Sequence, residues 1–489
     1  MRYVILLVAG TLFYASFGWG ALVILTGEIL LGYICGIRLG KICGHPACPE
    51  GKENLSDPLQ HGFAGRSGAT LLVAVSIVLV LCPLIVLKYR PIWERILGGG
   101  KITGPFFSAE WIAPIGISFY TLRMIGYLAD VYRGTTSAEK NFLRFALFVS
   151  FFPCVLSGPI ERYQDLAVQF REDIPFSETA VKKGFLQILF GFFEKYLIAD
   201  RLALMVSYAF ADAESQSGIV MIYTLILYGI QLYADFAGYS YIAIGTANLF
   251  GIRLKNNFEQ PYFAVSIQDF WRRWHISLSS WLRDYVYIPL GGSRKGRFRT
   301  YCNLMITFLV SGLWHGVGLK YILWGGLHGF YQIVGKLVSR GTKTGLFRRS
   351  GQKAGGGTGI RDRVLHLTRI LITFVLVDYA WLYFRADSIS SALRITKAFV
   401  MQPGLSEWFR YDQYLLGMTA DRLILLAAEC LIMLVIDLIH ERKISISAAL
   451  MSKNRVLRWG LVTVACLIVL TGLVYNYGTD ASVFIYTQF

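Results

Sequence analysis

Residues 459–478 read WGLVTVACLIVLTGLVYNYG, an unbroken apolar run without a charged side chain. A helix needs about 20 such residues to cross a bilayer, and this run meets that length alone. Similar runs lie at 3–36, 68–88, 109–128, 142–160, 183–199, 217–234, 301–314, 319–337, 365–384 and 420–439. Gly, Pro or a charge interrupts several of them, so the sequence predicts about eleven to thirteen helical segments, some not crossing fully. The composition agrees. Of 489 residues, 55% are hydrophobic and 16% charged, against roughly a quarter charged in a soluble domain, and mean hydropathy is +0.49. The expected fold is all-α, a polytopic helical membrane protein. The opening MRYVILLVAGTLFYASFGWG lacks a small-residue cleavage pattern and runs into more apolar sequence. It reads as a first anchor, not a removed signal peptide.

Charge orients these segments. The net charge is +17, and the positives gather in loops such as 336–363 and 441–458. The positive-inside rule makes both cytoplasmic. Runs 365–384 and 420–439 then go out and back, with 385–419 as a polar outer excursion. The run 459–478 leads outward, so the following ASVFIYTQF (481–489) is expected on the extracytoplasmic side. The basic stretch Arg272–Arg299 falls at the inner surface. There it would attract anionic lipid headgroups, or a phosphorylated acyl donor such as coenzyme A or a phosphopantetheine carrier. No repeat at a fixed period and no sizeable soluble domain is present, and nucleic acid is not an expected partner.

Eight cysteines do not form a framework. Cys82, Cys154, Cys302, Cys430 and Cys466 lie in apolar segments, where cysteine acts as a small hydrophobe. The group Cys43, His45 and Cys48 in CGHPAC has no second ligand cluster to answer it, so no metal is expected.

Seven histidines are present. His45, His61 and His440 lie in or beside loops, and His366 starts an apolar segment after a basic loop. The other three are at membrane depth. His275 belongs to QDFWRRWHISLSSWLRDYVYIPLGG, where Trp271, Trp274, Leu278, Trp281, Leu282 and Tyr285 recur at three- and four-residue steps. That spacing predicts one amphipathic helix with an apolar face, with Asp269 and Arg273 paired across one turn. His275 borders that face and points inward with the tryptophans. His315, in TFLVSGLWHGVG, ends an apolar segment among Gly312, Gly316 and Gly318, which let a backbone or a ligand come close. An ionisable group at this depth is costly and is a functional candidate by default, and neutral imidazole suits proton transfer near pH 7. His328, in WGGLHGF, reads as structural. No phosphate loop, nucleophile elbow or HExxH helix occurs. Histidine chemistry in a membrane points to proton abstraction from a hydroxyl or thiol, hence acyl transfer.

Five stretches together resemble the membrane-bound O-acyltransferase (MBOAT) family: FFPCVLSGPIERY, GFFEKYLIADRLA, QLYADFAGYSYIAIGTANLFGIRL, QDFWRRWHISLSSWLRDYVYIPLGGSR and SGLWHGVG. The likeness runs from about Pro114 to Leu337 and is to the bacterial branch containing the alginate O-acetylation membrane protein. It implies a funnel-shaped helical bundle with a tunnel. It matches His315 to the catalytic histidine of the family's W-H-G motif and His275 to the second histidine. FIYTQF resembles the carboxy-terminal motif of the small membrane peptide that works with the teichoic-acid D-alanylation protein, in which a tyrosine carries the acyl group. Tyr486 takes that place here, the alternative being an aromatic girdle at the membrane surface.

The resulting expectation is a bacterial plasma-membrane acyltransferase with membrane helices and a polar loop at 1–104 and a catalytic core at 105–338. A basic loop at 339–363, helices at 364–480 and a carrier motif at 481–489 follow. The donor would be an acyl thioester, acetyl-CoA or an acyl carrier protein, with no bound cofactor. The acceptor would be an extracytoplasmic SGNH-like transferase that acylates a cell-surface polysaccharide. D-alanyl transfer, direct transfer without Tyr486, a scaffold role and a transporter are the alternatives. Transport would usually bring two related halves, which the sequence does not display.

Overall fold

The computed structural model describes residues 2–43, 67–96, 113–172, 174–341 and 359–475. All regular secondary structure among them is helical. The chain divides into two compact units, one of residues up to 185 with 243–255, the other of 186–242 with residues from 256 onward.

In the first unit the apolar run 3–36 is two helices rather than one, α1 (Arg2–Ala15) and α2 (Trp19–Cys43). They part at Gly18, whose φ of +112° suits glycine. Helices α3 (Ser67–Lys88) and α4 (Ile117–Arg133) follow. Gly32, Gly36 and Gly40 repeat every four residues along α2. A Cβ at Gly36 would stand 2.6 Å from the Tyr127 ring, and one at Gly32 would stand 3.1 Å from Met124 Sδ. The small residues let α2 lie close against α4, the usual device where lipid offers no hydrophobic drive for helix pairing.

The run 142–160 is not one continuous helix. Its first part forms α5 (Phe142–Ser150), and the chain then leaves the long helix in FFPCVLSGP. Arg123, buried on α4, donates to the carbonyls of Val149, at 3.2 Å, and Cys154. It thus satisfies one carbonyl at the end of α5 and one in the short turn after it. The run is apolar because protein buries it, as expected of a segment that does not cross fully.

The second unit takes in the end of α6 (Glu178–Phe192), a π turn at Phe193–Ala199, α7 (Asp200–Ala211) and most of α8 (Gly218–Leu249). Short helices α9 (Ile267–Arg273) and α10 (Ile276–Leu282) come next, then α11 (Gly296–His315) and α12 (Leu319–Gly341). The longer helices that follow are α13 (Ile360–Arg385), α14 (Ile389–Met401), α15 (Ala420–Glu441) and α16 (Arg455–Tyr475). Among the described residues, six helices are long and apolar enough to cross a membrane: α2, α3, α8, α13, α15 and α16. Their burial differs greatly, 72% of the apolar window for α8 against 11% for α16. Helix α8 is therefore covered by protein, while α16 turns Leu461, Val464, Leu467 and Leu470 outward, the pattern of a helix solvated by lipid. The protein is an all-α polytopic membrane protein.

Candidate active site

The segment around His275 keeps its predicted face but not its predicted continuity. Ser266 caps α9 by accepting the Asp269 N–H at 3.1 Å, and Arg273 pairs with Asp269 at 3.3 Å as the spacing required. Trp271, Trp274, Leu278, Trp281 and Leu282 are all buried. However, the helix stops at Arg273 and restarts at Ile276, with His275 in the left-handed region at φ +43°. That conformation is costly for a residue with a Cβ. It is held by the segment 257–259, which hydrogen-bonds both broken ends. Ile276 N–H donates to the Asn257 carbonyl at 3.0 Å, and Glu259 N–H donates to the Arg273 carbonyl at 2.9 Å.

Asn257 also sets the chemistry of His275. Its Oδ1 accepts the Ser277 backbone N–H at 3.2 Å and the Ser277 hydroxyl at 2.8 Å, and lies 3.2 Å from His275 Nδ1. A backbone N–H can only donate, so the amide atom facing it is the oxygen. His275 Nδ1 must therefore donate to that oxygen, and in the neutral ring the lone pair sits on Nε2. The other end of the amide donates to Ser240 Oγ at 3.3 Å. The ring is fully buried and lies edge-on to Phe236, centroids 4.6 Å apart.

His315 is the last residue of α11 and is buried. Its ring packs against Trp314 at 4.8 Å, Trp324 at 4.9 Å and Phe384 at 5.4 Å between centroids. The nearby glycines serve a helix crossing. A Cβ at Gly312 would collide with the Tyr321 carbonyl, one at Gly316 with the Tyr321 ring, and one at Gly325 with the Phe308 carbonyl. Of the two uses open to these glycines, close packing of α11 on α12 accounts for Gly312 and Gly316.

The two histidines meet through one indole. Trp314 lies 6.0 Å from the His275 ring and 4.8 Å from the His315 ring between centroids, so one indole packs against both imidazoles, which are 40 residues apart in the sequence. His328, on α12, accepts the Trp271 indole N–H at its Nδ1, 3.2 Å away, and packs on Trp324 at 4.9 Å. It thereby anchors one wall of the same aromatic cluster. Tyr486, His45 and Cys48 lie outside the described residues.

Sequence reasoning missed two features here. One is Asn257, an unremarkable polar residue in RLKNNFEQ until the fold places it. The other is Lys195, whose ammonium lies 2.8 Å from Asp200 and 2.6 Å from Asp235, all three buried. Residues five apart do not face each other on an α-helix. The π turn at Phe193–Ala199, with its wider winding, is what lets Lys195 meet Asp200.

A family model described as MBOAT, membrane-bound O-acyltransferase family, matches residues 136–377. The chain is similar to the protein named "Probable alginate O-acetylase AlgI" of Pseudomonas aeruginosa, at 37% identity over 404 residues, 81% of this chain and 69% of that one. It is 33% identical over 416 residues to a peptidoglycan O-acetyltransferase of Helicobacter pylori, spanning 78% and 76% of the two chains. It is also similar to a teichoic acid D-alanyltransferase of Streptococcus thermophilus, 32% identical over 326 residues, 63% of this chain and 73% of the relative.

Proposed function

The chain belongs to the membrane-bound O-acyltransferase family, and on that premise we propose that it carries an acetyl group from a cytoplasmic thioester to a cell-surface polysaccharide by way of Tyr486. The observation that carries this reading is the pair of buried imidazoles on Trp314, with the His275 tautomer set by Asn257. Acetyl transfer to a polysaccharide follows from the alginate and peptidoglycan relatives.

The donor is an acyl thioester, acetyl-CoA or an acyl carrier protein, drawn to the exposed Arg294, Lys295 and Arg297. His315 takes the Tyr486 phenol proton as the oxygen attacks the thioester carbonyl, because a phenol of pKa about 10 needs a base. The tetrahedral intermediate collapses with breakage of the C–S bond, and the thiolate leaves with the proton returned by His315. His275, an acceptor at Nε2, orients the donor through an N–H group. The aryl ester on Tyr486 is more activated than an alkyl ester. It splits one hard transfer into two easier ones, the second to a serine hydroxyl of an extracytoplasmic SGNH-like transferase. This route places the protein in the bacterial plasma membrane with its C-terminal segment outside. The teichoic acid relative and FIYTQF favour D-alanyl as the second reading for the group carried.

Peptide mass spectrometry of the C-terminal fragment after exposure to donor tests the route. An added mass on Tyr486 that disappears in His315→Ala identifies the group and supports the relay. Full glycan acylation by Tyr486→Phe, with no adduct in the wild type, would leave direct transfer instead.

A further inference from the structure

The first unit contains a cavity of about 620 Å³ whose wall is built at the end of α2 and in the segment after α4. Its charged lining is Lys41, Lys140, Arg144, Arg171 and Glu139. Glu139 is buried and fully engaged. One oxygen accepts the Asn141 N–H at 2.8 Å and Arg144 at 3.2 Å, the other the Tyr163 hydroxyl at 2.5 Å and Arg171 at 2.8 Å. The lining thus holds one carboxylate against four cations, two of which are bound to it. Lys41 and Lys140 are exposed, and neither forms an ion pair among the described residues. Among the described residues the wall keeps a positive excess.

We propose that this cavity binds a phosphate-bearing anion, the headgroup of an anionic phospholipid. Lys41 occupies the last turn of α2, a helix long enough to span, so the cations stand where a lipid headgroup lies. Gly40 lets α2 meet the facing segment, since a Cβ there would stand 2.7 Å from Ala138 Cβ. Ile37 lines the cavity, and Ile34 and Leu30, on the same side of α2, are exposed. An acyl chain could leave the headgroup along that apolar stripe. The volume lies within the range of small-ligand sites and exceeds what a lone phosphate ion fills. Both features favour a lipid phosphate over a soluble one.

The test uses the full chain in neutral detergent, probed in turn with phosphatidylglycerol, phosphatidylcholine and pyrophosphate, and read by thermal unfolding and by native mass spectrometry. Phosphatidylglycerol should raise the midpoint by several degrees through preferential binding to the folded state, and phosphatidylcholine should not. The shift should fall by at least half in Lys41→Gln/Lys140→Gln. It should persist in Lys41→Arg/Lys140→Arg and in Lys182→Gln/Lys183→Gln, which removes the same charge elsewhere. An equal shift in Lys41→Gln/Lys140→Gln, or an equal effect of phosphatidylcholine, would overturn the site. A lysine-dependent shift from pyrophosphate with none from phosphatidylglycerol would keep the phosphate site and overturn the lipid.

Discussion

Asn257 Oδ1 stands 3.2 Å from His275 Nδ1, and the Ser277 N–H on the same oxygen commits His275 to one tautomer. Asn257→Ala removes the acceptor and frees the ring to rotate or exchange its proton. Acyl transfer should then drop roughly 10- to 100-fold, the range typical of losing an orienting partner. Asn257→Asp keeps an acceptor within reach but adds a charge, which favours the imidazolium. The acidic limb of its pH–rate profile should therefore move to higher pH. Wild-type rate and profile in both variants would reduce Asn257 to a packing residue.

Gly325 on α12 sits where a Cβ would collide with the Phe308 carbonyl of α11. Backbone cannot turn aside as a side chain can, so Gly325→Ala must push the two helices apart. Overpacking of this kind costs about 1–3 kcal/mol. The displacement reaches His315 at the end of α11, so the melting midpoint and the turnover should fall together. Gly326→Ala is the control, because its Cβ would meet only the Leu309 side chain at 3.8 Å. Equal effects from the two variants would remove the crossing as the cause.

These sites were legible in the sequence to different degrees, for physical reasons. The face of Trp271, Trp274, Leu278, Trp281 and Leu282 was readable because burial imposes its period locally. The break before Ile276 was not, because its cause is Asn257 and Glu259, which lie outside the periodic segment. Lys195 and Asp200 gave no pairing signal, since their spacing pairs only on a π turn. Hydropathy did not say which of the runs would stop short, because apolar sequence buried around Arg123, as in 142–160, looks like apolar sequence facing lipid. His275 and His315 were both visible as candidates, but their meeting at Trp314 is a tertiary fact.

Lys195 holds two buried carboxylates at once. Lys195→Met would take the ammonium away from Asp200 and Asp235 together. Removing one partner from a buried ion network costs about 3–5 kcal/mol, enough to lower the unfolding midpoint clearly in detergent. The double variant Lys195→Met/Asp235→Asn also removes one of the two carboxylate charges, so it should be more stable than the single variant. That strong non-additivity is the mark of directly coupled residues. Simple addition of the two single effects would argue against the triad.

Glu139 provides a pH test outside the spanning helices. Burial by itself would push its carboxyl up, but hydrogen bonds from Tyr163, the Asn141 N–H and Arg171, with the Arg144 charge, outweigh it and hold the group below the usual carboxylate range. A lowered carboxyl stabilises the fold fully above its unfolded value, about 4.3. That contribution disappears as pH falls through the lower folded value. The wild-type melting midpoint in detergent should therefore drop as pH is taken below about 4.3. Glu139→Gln should start lower at pH 7 and show a shallower acid decline, because the variant no longer binds that proton on unfolding. An acid decline as steep in Glu139→Gln as in the wild type would assign the acid sensitivity to other carboxylates, leaving Glu139 as a hydrogen-bond hub whose charge is not what the fold requires.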